Sequence, residues 1–590
     1  MPLSLPKHLS AALVASLLAC GLGNVRAQSD PVARAQAERQ AALAVSEEGT
    51  TGTETEKADP SQDRTPLGVD IAALRLIAHQ DRVDTVAAPG ETRIEIDPAI
   101  AAPQGLPQSL EKYLDQPLSM ALLAEIAQHL IQLWRDTDHP LVDVYFPEQN
   151  ITQGRLQIVV REAVLGEVRT EGVRHASPEY LKKQIRIAAG ERINRKVVEA
   201  DLDWLNENPA RRVDLIYARG EADGTSDIIL KTDEQKPVNF YTGFANTGLD
   251  LTGENEWSTG VNLTNLLHTE QSLGYHFSAD ERFERLRSHA VFYQLPLSWR
   301  HTLSLIGAYV SSEAPGDPTT SLLPLDLMGE SIQATANYRI PLPRRGLPVR
   351  HYFTLGADYK STNTDLVFGG ESVFDSSAAV VQYRAEYEAI LTDKLGQTRL
   401  TLAGIYAPGD VLLYNDDASF AALREGASAD YWYGTAAVER TIQLPSRFLL
   451  QLRATGQYTD SRLISTEQVL AGGYLTVRGF DENLVRGDYG VICNADLIFP
   501  SLGVLHPCFP RMDDKFNLLL FYDGAWLGNV DAPETEPGPS LQSVGVGFTW
   551  RFGEKAQARA TYGWNAGTHG LAEPEAISDG KLHFGVIVTF

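Results

Sequence analysis

At 590 residues, with 43% hydrophobic and 22% charged positions, the chain has the composition of folded protein and length for several domains. Its net charge of -25 argues against a general nucleic-acid binder, which needs a basic patch. No run of about 18 apolar residues offers a membrane-crossing helix, so any passage through a bilayer has to be made by strands closed into a barrel.

Lys7 and His8 precede an apolar run, Leu9 to Leu22, and Val25-Arg26-Ala27 supplies small residues for a signal peptidase. Residues 1–27 therefore read as a secretory signal cleaved after Ala27. Leu17-Leu18-Ala19-Cys20 is an imperfect lipobox, a rival cleavage that would lipidate Cys20. From Ser29 to Glu48, Asp30 stands at an N-cap, Pro31 suits the first helical turn, and Ala, Gln, Glu and Arg dominate up to Gly49. That predicts an isolated helix within 28–48, followed by a polar linker over 49–69 with too little apolar surface to fold.

Two consecutive units of strand, helices, strand, strand follow, over 70–163 and 164–235. In the first, Leu74 to Val83 reads as extended, Leu106 to Leu114 as helical, and Ser119 opens a longer helix with Leu122, Ile126, Leu130 and Leu133 at helical spacing. Leu141 to Phe146 and Arg155 to Glu162 alternate as strands. In the second, strands over Leu165 to Val173, Arg211 to Ala218 and Ser226 to Thr232 enclose helices over Pro178 to Ile187 and Asn194 to Leu205.

Over 236–590 the texture changes to repeated strands of about ten residues separated by Gly, Asp and Asn, the pattern of an outer-membrane barrel. Val544, Val546, Phe548, Trp550 and Phe552 alternate with Ser543, Gly545, Gly547, Thr549 and Arg551, and Leu582, Phe584, Val586, Val588 and Phe590 close the chain. The apolar parity must face lipid, because the other carries charge. About 354 residues at about 22 per strand and connection predict about 16 antiparallel strands.

One connection is anomalous. Between the alternating segments around Leu450 and Leu497 lies Glu467 to Gly490, EQVLAGGYLTVRGFDENLVRGDYG. A hairpin needs only about two to five linking residues, yet this stretch carries Gly472, Gly473, Gly479 and Gly487 around Arg478. The glycines permit a compact fold, which would aim Arg478 at a carboxylate. On the strand Phe516 to Trp526, Phe516, Leu518, Leu520 and Tyr522 take the lipid parity, so Asp523 is lumenal. Asp496, lumenal on the neighbouring strand, is the weaker partner. In a water-filled lumen such a pair would add little stability but would fix orientation.

EQVLAGGYLTVRGF followed by Gly-Asp-Tyr-Gly resembles the sixth extracellular loop of the Omp85 superfamily, with its signature VRGF at Val477, Arg478, Gly479 and Phe480. NENPARRVDLIYARG resembles the second POTRA domain, and NLTNLLHTEQSLGYHF and YQLPLSWRHTLSL the first barrel strands, of the two-partner-secretion transporters of the FhaC/ShlB/HecB type. The resemblance runs from about residue 70 to the C-terminus. It implies two periplasmic α+β POTRA domains, an all-β transmembrane barrel of the outer membrane gated by the loop 467–490, and a helix at 28–48 lying through the lumen as a plug. It implies that Asp523, in Phe521-Tyr522-Asp523-Gly524-Ala525, pairs with Arg478 as in the family's F-x-D-x-G motif; Ala525 departs from that motif's last glycine. It implies that Phe590 is the signal read by the barrel-assembly machinery.

The implied work is export, by a monomer and without ATP, of a large unfolded partner, a β-helical adhesin or haemolysin captured on an exposed POTRA sheet edge. The alternative is the barrel-assembly branch of the superfamily, the BamA and TamA type, whose members carry more POTRA units. No HExxH, G-x-S-x-G, P-loop or EF-hand spacing suggests an enzyme, a cofactor or a bound metal. Cys20, Cys493 and Cys508 are too few for a disulfide framework, and no CxxC or Cys/His cluster has zinc spacing. Cys493 falls on the apolar parity of its strand and Cys508 in the turn that follows, which leaves open a bridge between them, with two free thiols the preferred reading.

Overall fold

A computed structural model describes residues 63–84, 92–139, 141–266, 269–315, 325–344, 349–368, 371–505, 513–532, 538–571 and 577–590. The signal segment, the helix at 28–48, most of the linker, Cys20 and Cys508 lie outside the described residues. Contacts divide the chain after Glu234 into two compact units.

The N-terminal unit holds two small sheets. The first is built from β1 (Ala73–Ile77), β2 (Ile94–Ile96), β3 (Val142–Tyr145) and β4 (Arg155–Glu162) in the order β2-β1-β4-β3. Helices α1 (Leu106–Leu110) and α2 (Met120–Arg135) cover it. Ser119 caps α2, its hydroxyl accepting from Leu122 N at 3.2 Å, and Leu122, Ile126, Leu130 and Trp134 bury one stripe of the helix. Extended chain was expected to run to Val83, but β1 stops at Ile77 and a tight turn occupies Gln80–Arg82. There Arg82 reaches Asp97 at 2.7 Å. The three-residue β2, parallel to β1, is too short to show alternation in sequence.

The second sheet has β5 (Val164–Glu171), β6 (Arg211–Arg219) and β7 (Thr225–Glu234) in the order β5-β7-β6, with α3 (Pro178–Lys183) and α4 (Arg195–Leu205) packed on it. The helix expected through Ile187 ends at Lys183. The buried carboxylate of Asp201 takes both the main-chain N–H and the Nε of Arg186, at 2.9 and 2.6 Å, and so draws the chain out of the helical path.

The C-terminal unit is a closed barrel of sixteen antiparallel strands. In chain order these are β8 (Val238–Ala245), β9 (Glu256–Leu266), β10 (Gln271–Asp280), β11 (Leu286–Pro296), β12 (Thr302–Pro315), β13 (Leu325–Leu342), β14 (Val349–Phe368), β15 (Glu371–Thr392), β16 (Gly396–Pro408), β17 (Asp430–Gln443) and β18 (Leu449–Tyr458). After a two-stranded ribbon, β19 (Val469–Ala471) with β20 (Val485–Gly487), the wall resumes with β21 (Tyr489–Ile498), β22 (Asp514–Gly528), β23 (Ser540–Phe552), β24 (Ala556–His569) and β25 (Gly580–Thr589). A short helix, α5 (Asp417–Leu423), sits in the connection between β16 and β17.

The pleat sorts side chains as the alternation requires. On β22, Leu518, Leu520 and Tyr522 are exposed outward, while Asn517, Phe521 and Asp523 are buried inward. Aromatic residues including Tyr406, Trp432, Tyr458 and Trp526 stand outward near the end that carries the long loops, the position of an interfacial girdle. β13, β14 and β15 have 18, 20 and 22 residues, well past the roughly 9–11 that cross a bilayer, and so project beyond it. The barrel closes where β25 pairs with β8, from Gly585 opposite Ala245 to Thr589 opposite Tyr241. Phe590 extends this seam, its N–H donating to Phe240 O at 2.9 Å, with its ring exposed.

Candidate functional site

The connection between β18 and β21, the sixth at the long-loop end, folds inward and lies against the inside of the wall. At its tip the guanidinium of Arg478 meets Asp523 of β22 as a fork: Nε donates to Oδ2 and Nη2 to Oδ1, both at 2.7 Å. Nη2 also donates to Asp496 Oδ1 of β21 at 2.6 Å, and the main-chain N–H of Arg478 to Asp523 Oδ2 at 3.0 Å. Below the plane of the guanidinium lies Phe521, its ring centroid 3.7 Å from Cζ. Asn494 ties the pair together, donating 2.6 Å to Thr476 O in the loop and 2.7 Å to Asp523 Oδ1 in the wall.

Sequence reasoning placed this pair in a wet lumen, but Arg478 is only 7% exposed and Asp523 is fully buried. A buried arginine stays charged. Desolvating it costs several kcal/mol, which is offset only where carboxylates and hydrogen bonds surround it. Asp496, the weaker candidate, therefore shares the guanidinium with Asp523, and Arg453 reaches its other oxygen at 3.5 Å.

The loop backbone explains the glycines. Gly479 has φ +93, and a Cβ there would lie 2.8 Å from the carbonyl of Gly563 on β24. The loop thus rests main chain to main chain on the wall, and Gly479 N donates to His583 Nε2 of β25 at 3.2 Å. Gly472 and Gly473 also take positive φ, +110 and +98, in a turn closed by Thr476, whose hydroxyl accepts from Gly472 N at 3.0 Å. Gly487, in β20, approaches the backbone of Gly528 instead. Val477, Phe480, Val469 and Val485 bury against Ile492, Ala525 and Leu527. Ala525, where the family motif has glycine, simply joins this apolar cluster.

The base of the loop has a second set of holds that sequence reasoning missed. Glu467 accepts from Lys360 Nζ of β14 and from Tyr433 Oη of β17, each at 2.8 Å. Asp488, fully buried, pairs with both arms of Arg424, which follows α5 in the fifth connection. Asp488 also accepts from Leu463 N, Gln468 Nε2 and Val530 N at 3.2, 3.0 and 2.9 Å. Asp488 lies within the quoted Gly-Asp-Tyr-Gly, so it was within reach; Arg424 has no local signature. Lys581 of β25 pairs with Asp481 near the tip. Among the described residues no cluster of His, Cys, Asp or Glu could hold a metal ion. The arrangement holds a folded segment across the bore at two places.

The profile of the family described as haemolysin secretion/activation protein ShlB/FhaC/HecB matches residues 224–550, more than half of the chain. The outer membrane transporter CdiB-2 of Burkholderia pseudomallei is 25% identical over 372 residues, 60% of this chain and 61% of its own. The heme/hemopexin transporter protein HuxB of Haemophilus influenzae is 22% identical over 465 residues, 75% of this chain and 76% of its own. The chain thus spans about three fifths and three quarters of these relatives' lengths. Among solved structures, CdiB from Escherichia coli superposes with a TM-score of 0.68 over 96% of this chain and 99% of that one at 16% identity, a likeness of fold.

The close approach at Gly479 makes a prediction that involves no charge. Gly479→Ala puts a methyl into the Gly563 backbone, where nothing can rotate away, and is expected to free the tip as fully as Arg478→Ala. Cleavage after Glu482, near the tip and partly buried in the docked loop, by a glutamyl endopeptidase acting on the purified full-length protein should accelerate in both variants. A parental rate for Gly479→Ala would mean that the contact does not hold the loop.

Proposed function

The chain belongs to the haemolysin secretion/activation family ShlB/FhaC/HecB, the two-partner-secretion transporters of the outer membrane, and from that premise we propose how its parts carry a partner across. The N-terminal sheets, its POTRA domains, lie in the periplasm and capture the unfolded partner; the barrel passes it to the cell surface; loop 467–490 gates the bore. The observation that carries this reading is the buried Arg478 fork, which docks a long folded loop inside a pore. Export, rather than insertion of other barrels, is favoured by the family match.

The partner is a large secreted protein, a β-helical adhesin or haemolysin, and export draws on its folding outside instead of ATP. Capture suits β6, the edge of its sheet. Asn206, just past α4, accepts from Val213 N at 2.7 Å and donates to Val213 O at 3.0 Å on the side away from β7. Leu215 and Tyr217 share Val213's parity, so they turn main-chain N–H and C=O toward the same open side, where a guest strand could add with little regard to its sequence. Phe590 is the signal for the chain's own assembly, and residues 28–48 plug the resting bore.

Tyr217→Pro removes one edge donor; because the Tyr217 ring also packs on the core of this sheet, Tyr217→Ala is the control, and relative to it the proline is expected to weaken binding of the partner's unfolded N-terminal domain to the full-length transporter by up to about tenfold. Titration of the two proteins in detergent micelles reads this directly; unchanged affinity, or equal affinity for the folded domain, would exclude strand addition at β6. Deleting Ser29 to Glu48 should raise single-channel conductance in planar bilayers while export continues. Unchanged conductance would mean that this segment does not fill the bore.

A further inference from the structure

The fifth connection carries four consecutive large apolar residues, Val411, Leu412, Leu413 and Tyr414, that are 47, 51, 77 and 51% exposed. They are not loosely displayed. Asn415, with no exposure, accepts from Val411 N at 3.0 Å and donates to Ala379 O of β15 at 2.9 Å, while Ala379 N donates to Tyr414 O at 2.9 Å and Asp410 N to Asn415 O at 2.6 Å. Asp410 and Tyr414 take φ +50 and +62, the left-handed region that is strained for a non-glycine residue and persists only where surrounding structure imposes it. A rigid, strained turn that presents four consecutive large apolar side chains, beside the exposed Asp410 at its start, marks an interaction surface.

Its place on the wall identifies the partner surface. β15 pairs with β16 only from Tyr383 onward, and the turn takes the place of β16 along the next stretch of its edge. The lumenal side at this height is filled by Ala378, Val380, Phe420, Tyr431 and their neighbours, which leaves the outer side for the turn's side chains. On that outer side Tyr383 and Tyr406 belong to the aromatic girdle. Going up from them, Val381 lies opposite Tyr359, Ala379 opposite Ser361, and Ser377 opposite Asn363. The surface therefore turns from apolar to polar at Ala379, the residue to which the turn is bonded.

We propose that the Asp410–Asn415 turn is an interfacial anchor whose Val411, Leu412, Leu413 and Tyr414 seat in the outer leaflet, continuing the lipid-facing band one step above the girdle. Side chains of this kind at the level of the lipid headgroups gain by burial in the acyl boundary. The anchor is independent of what the pore exports and needs only the barrel.

The test is a nitroxide at Leu413→Cys, in a full-length chain otherwise free of cysteine, reconstituted in vesicles of phosphatidylethanolamine and phosphatidylglycerol. Lipid-facing Leu402→Cys and loop-exposed Glu425→Cys give the two reference environments. The ratio of collision with oxygen to collision with a water-soluble nickel chelate should lie several-fold above that of Glu425→Cys and approach that of Leu402→Cys. A ratio equal to that of Glu425→Cys would overturn the proposal and leave the patch to a protein, the exported chain or a second copy. All three positions are on the surface, so folding is preserved, and the readout does not depend on export.

Discussion

A guanidinium cannot shed its charge when it leaves water, and that constraint organises the middle of this molecule. Arg478 stays in the bore only because Asp523 accepts from its Nε and Nη2, Asp496 accepts from Nη2 again, and Phe521 covers a face. Lysine would satisfy neither the fork nor the stacking. Other choices follow from holding that group in place: a main chain close enough to Gly563 that residue 479 can carry no side chain, an asparagine at 494 bridging loop and wall, and a connection long enough to reach from the rim to strands β21 to β25.

Because the triad is buried, its loss falls on the docking of the loop. Barrel closure rests on strand ladders that run all round the wall and through the β25–β8 seam, and these do not pass through Arg478. A tip that can detach while the wall persists is what a gate requires. The base of the loop behaves differently. Asp488 and Glu467 bind it to Arg424, Lys360 and Tyr433, so motion of the tip would pivot on a fixed root. Arg424 belongs to the same connection as the turn proposed above as an interfacial anchor, so one connection joins that turn to the root of the loop.

Much of this was legible in the sequence, for reasons that differ by region. Strand number and the lumenal parity of Asp523 could be read because a wall wet on one side and greasy on the other imposes a strict period of two, which β22 and β23 keep without interruption. Asp523 stood out as a charge on the lumenal parity of an otherwise apolar strand, and Arg478 as a charge amid glycines. Burial of the pair could not be read, since it depends on Val477, Phe480 and Leu527 coming together from distant segments. The same holds for Arg424 with Asp488 and Lys360 with Glu467, 64 and 107 residues apart. Within the N-terminal unit the errors were local: β2 has no period to detect, and the end of α3 is set by Asp201, fifteen residues beyond Arg186.

The central claim is that the buried fork between Arg478 and the wall is needed for transport and not for assembly of the barrel. It is tested most directly by the amount of partner protein reaching the medium from cells carrying Arg478→Ala, normalised to the amount of folded, heat-modifiable barrel in their outer membranes. The account predicts parental levels of folded barrel with export nearly abolished, and the same result for Arg478→Lys. Parental export by Arg478→Ala would show that the docked loop is dispensable and that the gate, if there is one, lies elsewhere.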